Sequence, residues 1–161
     1  MRILVVSDSH KRETNLYAVA QKVEPDKIFH LGDAEGREDE IAYMTGVPVE
    51  CVRGNCDGWS SLPADVVMTV GDRVMLLTHG HLHGVNYGME ELVAYAKEKE
   101  ADTVLYGHTH VPELAEIDGI TIMNPGSISL PRQPGRVPSY GVINVREDGH
   151  CDLAIRYYDW E

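Results

Sequence analysis

The sequence predicts a mixed α/β protein. Its first half alternates short apolar runs with helical stretches in the order β-α-β-α-β, which is typical of a mostly parallel sheet covered by helices. Its second half contains apolar runs joined by short turns, which indicate antiparallel hairpins. With 161 residues, 43% hydrophobic and 25% charged, the chain has the length and composition of one ordinary domain, and we expect residues 1–161 to form it.

The strands of the first half are continuous apolar runs of strand length. Its first helix places Leu16, Val19, Ala20 and Val23 on one stripe. The predicted elements are a strand at 2–7, a helix at 15–23, a strand at 27–31, a helix at 38–45 and a strand at 47–52.

Turn residues divide the second half. Asp118-Gly119 is a strong two-residue hairpin signal, and Gly71-Asp72-Arg73 and Glu147-Asp148-Gly149 separate two further pairs of strands. The Pro- and Gly-rich segment 130–138 is predicted to be a surface loop. The predicted elements are strands at 66–70 and 74–78, a helix at 89–100, and strands at 103–106, 113–117, 120–123, 140–145 and 151–158.

Bulk properties argue against several classes of protein. The formal net charge of −12 disfavours a general nucleic-acid binder, because an acidic surface repels phosphate backbones, although carboxylates that hold cations count in this sum. Three cysteines without framework spacing disfavour a secreted disulfide scaffold, and Cys51 and Cys151 are expected to be small buried residues. No apolar run is long enough for a bilayer span or a signal sequence, so we expect a cytoplasmic protein without membrane contact.

Polar residues that commonly bind metals follow five of the predicted strands. They are Asp8-Ser9-His10, Gly32-Asp33, Gly54-Asn55-Cys56-Asp57, His79-Gly80-His81 and Gly107-His108-Thr109-His110. Because sites in open α/β sheets form outside the carboxyl ends of strands, these clusters predict one site. Three clusters begin with Gly, which permits a sharp turn or a close approach to a ligand. Asp8 and His10, like His108 and His110, are two residues apart, and extended backbone would point each pair the same way.

These donors are numerous enough for two divalent ions. Imidazole and carboxylate groups together suit Mn²⁺, Fe²⁺, Zn²⁺, Co²⁺ or Ni²⁺ better than Ca²⁺. Two such ions about 3.5–4 Å apart can clamp an in-line displacement at phosphorus and make hydroxide available near neutral pH. The pair needs a bridging carboxylate, and Asp33 is the best candidate because it stands alone after its strand.

The order of these motifs resembles the calcineurin-like metallophosphoesterase superfamily. Asp-x-His, Gly-Asp, Gly-Asn-x-Asp, His-Gly-His and Gly-His-x-His follow one another between Asp8 and about Ser127, and Asn124-Pro125-Gly126-Ser127 also resembles a family loop. The short length and the Gly-Asn-Cys-Asp version resemble the small prokaryotic YfcE-like phosphodiesterases. The resemblance implies a four-layer α/β/β/α sandwich with two facing mixed sheets. It also implies that a metal-bridging hydroxide hydrolyses small phosphodiesters, with two divalent ions bound, most simply Mn²⁺.

The resemblance assigns roles residue by residue. The first metal ion would be held by Asp8, His10 and His110, the second by Asn55, His79 and His108, and Asp33 would bridge the two. Asn55, Cys56 and His79 would take part in catalysis. His81 would orient a ligand or face the substrate. Asp57, judged from its position alone, is expected to orient a ligand, face the substrate or cap the segment that follows it.

Each cluster also has a plainer interpretation. Taken alone, Asp8-Ser9-His10 could cap a helix, Asn55 could occupy a left-handed turn, and His108 and His110 could be hydrogen-bonded strand-end residues. Taken together, these interpretations require five coincidences in the right order. For His81 and His83 a structural role and a functional one stay balanced. Three other residues are assigned structural or solvated roles: His30 as a packed, hydrogen-bonded histidine, and Arg132 and Arg136 as solvated side chains.

Cys56 departs from the wider superfamily pattern, in which a histidine at this position is assigned to protonating the leaving group or stabilising the transition state. A thiol is a poorer proton donor near neutral pH and carries no positive charge. We therefore predict that diesters are preferred over monoesters. A nucleophilic, metal-binding or disulfide role for Cys56 is disfavoured, whereas a small residue that merely fits beside the site stays an alternative.

Two other functions stay open. A non-catalytic protein-binding scaffold of the same fold is represented by a eukaryotic retromer subunit with partly replaced metal-site residues, whereas all seven positions carry donors here. A nuclease of the same superfamily is disfavoured by the acidic charge and by the absence of a DNA-binding extension. The sequence does not specify the natural substrate, the physiological metal or the oligomeric state, a homodimer included.

Overall fold

The computed structural model describes residues 1–159, so the last two residues of the expected domain 1–161 lie outside the described part. Every predicted helix and strand is present there, with ends that differ by no more than two residues. The elements are β1 (Arg2–Val6), α1 (Thr14–Val23), β2 (Lys27–His30), α2 (Glu38–Thr45), β3 (Val49–Cys51), β4 (Asp65–Val70), β5 (Arg73–Thr78), a 3₁₀ turn at His81–His83, α3 (Glu90–Glu98), β6 (Thr103–Leu105), β7 (Glu113–Ile117), β8 (Ile120–Asn124), β9 (Ser139–Val145) and β10 (Cys151–Tyr157).

The strands form two mixed sheets of five strands each. The first sheet has the order β10-β9-β1-β2-β3, with β1, β2 and β3 parallel and the β9–β10 hairpin antiparallel at one edge. The second has the order β4-β5-β6-β8-β7, with β5, β6 and β8 parallel and an antiparallel partner at each edge. The two hairpins of the second sheet are those predicted from Gly71-Asp72-Arg73 and Asp118-Gly119.

The strands read as continuous apolar runs because both faces of each sheet are covered. Val5 of β1 and Leu77 of β5 belong to one buried cluster that lies between the sheets. Leu4, beside Val5, points to the opposite face, where it packs with Leu16 of α1. The helix α3 covers the outer face of the second sheet in the same way. This arrangement is the four-layer α/β/β/α sandwich that the resemblance implied.

The three side chains expected to be packed in the interior are buried. Cys51 and Cys151 are buried, and both are free thiols. His30 is fully buried and hydrogen-bonded, with 2.9 Å between its Nε2 and the Oγ of Ser9. None of the helices in residues 1–159 combines the length and the hydropathy that a membrane crossing requires.

Candidate metal centre

The five predicted clusters meet at one end of the two sheets, but their backbone is not extended. Asp8, His10, Asp33, His108 and His110 all adopt positive φ, between 48° and 72°. The premise that residues two apart point the same way along extended backbone is therefore wrong for both pairs. Positive φ is uncommon outside glycine, is enriched in Asp and His, and persists where the surrounding structure holds it in place.

The first group of donors consists of Asp8, His10 and His110. The Oδ1 atom of Asp8 lies 3.3 Å from the Nε2 of His110 and 3.7 Å from the Nε2 of His10. The two Nε2 atoms are 3.3 Å apart. Three potential ligand atoms therefore face one small space, and all three belong to residues predicted to hold the first metal ion.

The second group consists of Asn55, His79 and His108. The Oδ1 atom of Asn55 lies 3.1 Å from the Nε2 of His79 and 3.1 Å from the Nδ1 of His108. His79 is completely buried, whereas His108 is partly exposed to solvent. These are the three residues predicted to hold the second metal ion.

Asp33 lies between the two groups. Its Oδ2 atom is 3.2 Å from the Nε2 of His79 in the second group and 3.7 Å from the Nε2 of His10 in the first. Its Oδ1 atom accepts the backbone N–H of Cys56 at 2.8 Å, which fixes the orientation of the carboxylate. The structure therefore brings all seven predicted metal ligands together, with Asp33 in the bridging position.

The arrangement of donors fits cations. Three histidines donate Nδ1–H to an oxygen: His79 to the carbonyl of Leu31 at 2.6 Å, His110 to that of Leu130 at 2.7 Å, and His10 to the carboxylate of Glu35 at 3.0 Å. In the neutral histidines, the Nε2 lone pairs therefore point at carboxylate oxygens and at one another. The Oδ1 atom of Asp8 is buried and has no hydrogen-bond partner among the described residues. Such a convergence of acceptors requires positive charge.

The electrostatics of the site agree with this interpretation. Burial opposes ionisation of Asp8, but the nearby rings of His10, His110 and His79 outweigh it and hold the pKa of the Asp8 carboxyl well below its usual value. Burial also opposes protonation of His79, yet its hydrogen bond to Asp33 and the nearby carboxylates raise its pKa. The negative charge that favours a proton on the His79 ring would equally favour a metal cation beside it.

His108 differs from the other three histidines because it turns Nδ1 towards the site. Its Nε2 atom lies 3.0 Å from the side-chain amide of Asn86, in the loop that follows the 3₁₀ turn. Asn86 was not predicted as a site residue. Within residues 1–159, the amide of Asn86 is the one side-chain group at hydrogen-bond distance from the Nε2 of His108.

Asp57 organises the loops that carry the ligands. Its buried carboxylate accepts three backbone N–H groups, those of Asp33, Gly54 and Glu35, each at 2.8 Å. These bonds tie the segment after β2 to the segment after β3. These contacts fit the expectation that Asp57 orients a ligand, because one of the three N–H groups belongs to Asp33.

Glycine is required at the close approach between these segments. A Cβ atom on Gly54 would lie 2.1 Å from the Oδ1 of Asp33. Gly54 does not have a positive φ, so the lack of space, and not the backbone conformation, requires glycine here. Gly107 likewise leaves room for Ser7 and Asp8, whose Oγ and Oδ2 would lie 2.1 and 2.8 Å from an added Cβ. Both glycines stand at the head of their motif because neighbouring side chains, the ligand Asp33 at Gly54 and Ser7 with Asp8 at Gly107, occupy the space of a side chain.

Gly54→Ala is therefore expected to lower the free energy of unfolding by about 1–3 kcal/mol and to weaken metal binding, since the added methyl displaces Asp33. Gly58→Ala is the matched control in the same segment: its Cβ would have no neighbour within 4 Å, and stability should change by less than about 1 kcal/mol. Urea unfolding and metal titration of both variants would test this. Equal stability and metal affinity for the two variants would contradict the crowding argument.

Cys56 lies at the open side of the centre. Its Sγ atom is within 4.8 Å of ligand atoms of His10 and Asp33, and 3.6 Å from the amide nitrogen of Asn55. Burial, together with the negative charges of Asp33 and Glu35, raises the pKa of the Cys56 thiol to about 11. The thiol is therefore protonated at neutral pH, which disfavours a nucleophilic role.

His81 and His83 lie beyond the two donor groups. The His81 ring packs 5.4 Å from the ring of His79, and its buried Nδ1 has no hydrogen-bond partner among the described residues. His83 stacks on Tyr95 of α3 with 4.3 Å between ring centroids. His83 thus anchors the 3₁₀ turn to the helix, whereas His81 faces the centre from outside.

Two of the three plainer interpretations of single clusters do not hold, whereas His108 and His110 are hydrogen-bonded as foreseen. The helix α1 starts after Glu13 and takes no side-chain cap, so Asp8-Ser9-His10 does not cap it. Asn55 is not among the residues with positive φ. Arg132 and Arg136 are exposed, as expected of solvated side chains.

Several residues that support the centre were missed by sequence reasoning. Glu35 orients His10, and the hydroxyls of Ser127 and Ser129 donate to the backbone carbonyl of Asp8 at 2.8 and 3.2 Å. Asn124 donates to the carbonyl of Gly107 at 3.2 Å, so the segment 124–129 holds two ligand loops in place. The resemblance of Asn124-Pro125-Gly126-Ser127 to a family loop was the one signal that pointed to this segment.

Comparison with known proteins places the chain among phosphoesterases. Residues 1–148 match the model of the calcineurin-like phosphoesterase superfamily domain. The probable metallophosphoesterase YsnB of Bacillus subtilis is 35% identical over 161 residues, which cover 99% of this chain and 91% of YsnB. Phosphodiesterase YfcE of Escherichia coli is 35% identical over 117 residues, which cover 67% of this chain and 56% of YfcE.

Solved structures show the same fold. A conserved protein of Streptococcus pneumoniae, described as a predicted phosphoesterase, superposes with a TM-score of 0.78 at 31% identity and covers 96% of this chain and 97% of its own. Vps29 of Entamoeba histolytica, solved in complex with Zn²⁺, superposes with a TM-score of 0.77 at 22% identity over 99% of this chain and 100% of its own. The likeness to Vps29 concerns the fold alone.

Proposed function

The chain belongs to the calcineurin-like phosphoesterase superfamily and is a phosphoesterase, and from that premise we propose that it is a dinuclear metal-dependent phosphodiesterase. Membership confirms the family resemblance read from the five motifs. The observation that carries the proposal is the position of Asp33, whose Oδ2 reaches donors of both groups. A carboxylate shared by two sets of donors suits a pair of cations, and the Oδ1 of Asp8 likewise lies 3.3 Å from the Nε2 of His110 and 3.6 Å from that of His79.

Seven side chains would hold the two ions. In the proposal, Asp8, His10 and His110 bind one ion, Asn55, His79 and His108 bind the other, and Asp33 bridges them. Two bound divalent ions supply a hydroxide at neutral pH and neutralise charge on the phosphoryl oxygens during an in-line displacement. The mixture of imidazole, carboxylate and amide donors accommodates Mn²⁺, Fe²⁺, Zn²⁺, Co²⁺ or Ni²⁺, and the family resemblance makes Mn²⁺ the first choice.

The other residues of the centre orient these ligands. Glu35 fixes the ring of His10, and the carbonyls of Leu31 and Leu130 fix His79 and His110, so each Nε2 is aimed inwards. His81, whose ring lies 5.4 Å from that of His79, is proposed to orient a ligand or to face the substrate. The whole chain, residues 1–161, is proposed to act as one domain on a small phosphodiester.

The experiment that tests this function is metal removal followed by reconstitution. The protein is stripped with a chelator, Mn²⁺, Ni²⁺, Zn²⁺ or Mg²⁺ is added back separately, and hydrolysis of a 4-nitrophenyl phosphodiester is compared with that of the matching monoester. The stripped protein should be inactive, and at least one of the first three ions should restore diester cleavage in preference to monoester cleavage. Activity that survives stripping would contradict metal dependence.

Two alternatives have distinct outcomes in the same experiment. Tight binding of metal without turnover of either ester would favour a non-catalytic protein-binding scaffold. A nuclease would bind DNA with an affinity that falls steeply as salt increases. The net charge of −12 argues against that outcome.

A further inference from the structure

A cleft of about 470 Å³ opens beside the first donor group. Its walls include Lys11, which directly follows His10, and Ser129, whose hydroxyl donates to the carbonyls of Asp8 and Ser9 at 3.2 and 2.8 Å. The cleft and the candidate metal centre therefore share the same backbone segments.

Two buried polar atoms on residues that line the cleft have no partner. Glu13 is only 7% exposed, yet its Oε1 atom has no hydrogen bond among the described residues. The hydroxyl of Tyr17, one helical turn away, is also buried and unpartnered. Glu13 stands at the N-cap position of α1 but makes no capping hydrogen bond, so helix formation does not explain its burial.

An unpaired buried carboxylate is costly unless something else satisfies it. Burial raises the pKa of the Glu13 carboxyl, and the opposing effect of Arg37 is smaller. The neighbouring Glu40 differs, because its carboxylate accepts a hydrogen bond from Arg37 at 2.6 Å. Glu13 and Tyr17 therefore each leave a polar atom without a hydrogen-bond partner among the described residues.

We propose that this cleft binds a hydroxyl-bearing alcohol moiety of the phosphoester, such as a vicinal diol, through Glu13 and Tyr17. The proposal rests on the proposed function and names the class of substrate it would act on. A carboxylate is a common acceptor for neighbouring hydroxyls, as in the acidic residue that binds the ribose diol in dinucleotide sites. Lys11 and Arg12 line the same cleft and would repel an ammonium group, so neutral donors are favoured over cationic ones.

The test is calorimetric titration of the Mn²⁺-loaded protein with glycerol 1-phosphate and with propyl phosphate, which lacks both hydroxyls. Inorganic phosphate gives the baseline for the phosphoryl group alone. We expect glycerol 1-phosphate to bind about tenfold more tightly than propyl phosphate, because two hydroxyls would satisfy the buried acceptor and the phenol. Glu13→Leu and Tyr17→Phe should remove most of this difference and leave the affinity for propyl phosphate unchanged.

Further variants separate recognition from folding. Glu13→Gln keeps one carbonyl oxygen and should show an intermediate preference, whereas Glu40→Gln, on the same cleft, should behave like the wild type. Equal affinities of the wild type for the two esters, or a preference that survives Glu13→Leu and Tyr17→Phe, would overturn the proposal. Tighter binding of aminoethyl phosphate than of glycerol 1-phosphate would also overturn it. If the glycerol ester is preferred but no diester is hydrolysed, the proposed function fails and the cleft assignment stands.

Discussion

Asp33→Ala should reduce metal-dependent diester hydrolysis by at least about 10³-fold and lower the metal content below two ions per chain. The Oδ2 of Asp33 faces His10 of one donor group and His79 of the other, so its loss removes a carboxylate that lies between the two groups. A metal pair supplies several kcal/mol of transition-state stabilisation, and each 1.36 kcal/mol corresponds to a factor of ten in rate. Steady-state kinetics and metal analysis of the purified variant would measure both effects.

Two companion variants show whether such a loss comes from chemistry or from folding. Asp33→Asn keeps an oxygen that can accept the N–H of Cys56, so the loop should stay ordered while the charge between the two groups disappears. It should lose activity almost as completely as Asp33→Ala. Asp39→Ala changes an exposed acid in the first turn of α2 and should retain full activity. Wild-type rates for Asp33→Asn with normal metal content would contradict the bridging role.

Much of this centre was predictable because its chemistry is local to the ends of strands. Each donor motif directly follows an apolar run, and parallel strands deliver such motifs to the same edge of a sheet. The hairpins were equally predictable, since the turn at Asp118-Gly119 fixes the pairing of Ile117 with Ile120. The division of the strands into two sheets did not follow from periodicity, because strands buried on both faces look alike whichever sheet they join.

The supporting contacts were not predictable because they join residues far apart in the chain. Ser129 binds the backbone of Asp8 across 121 positions, and Glu35 reaches His10 across 25. A sequence motif also does not indicate the backbone angle φ of its residues. The positive φ of Asp8, His10 and the other donors is set by the loops packed around them, which is why the extended-backbone premise failed even though the predicted set of residues came together.

Cys56→His should raise the ratio of monoester to diester hydrolysis, measured as kcat/KM, by about tenfold, the low end of what general acid catalysis contributes. Position 56 faces the open side of the centre, with its Sγ within 4.8 Å of ligand atoms of His10 and Asp33. A side chain there is close enough to the metal pair to reach an atom of a bound ester. An imidazolium could carry a proton and a positive charge to a poor leaving group, whereas the neutral thiol does neither.

The thiol of Cys56 stays protonated at neutral pH, because burial and the charges of Asp33 and Glu35 raise its pKa to about 11. A proton held so tightly is transferred poorly to a leaving alcohol near neutral pH. Diesters with good leaving groups need little such help, whereas monoesters with poor leaving groups need it most. The substitution at this one position should therefore act on the ratio of the two activities more than on diester cleavage itself.

Cys56→Ser provides the matched control, because a hydroxyl is similar in size to the thiol and is also neutral. Its ratio of monoester to diester hydrolysis should equal that of the wild type. Metal content must be measured for all three proteins, since a histidine at position 56 could itself bind a cation beside His10 and Asp33. If Cys56→His binds two ions and its ratio is unchanged, the thiol does not determine ester preference, and Cys56 is a small residue that fits beside the centre.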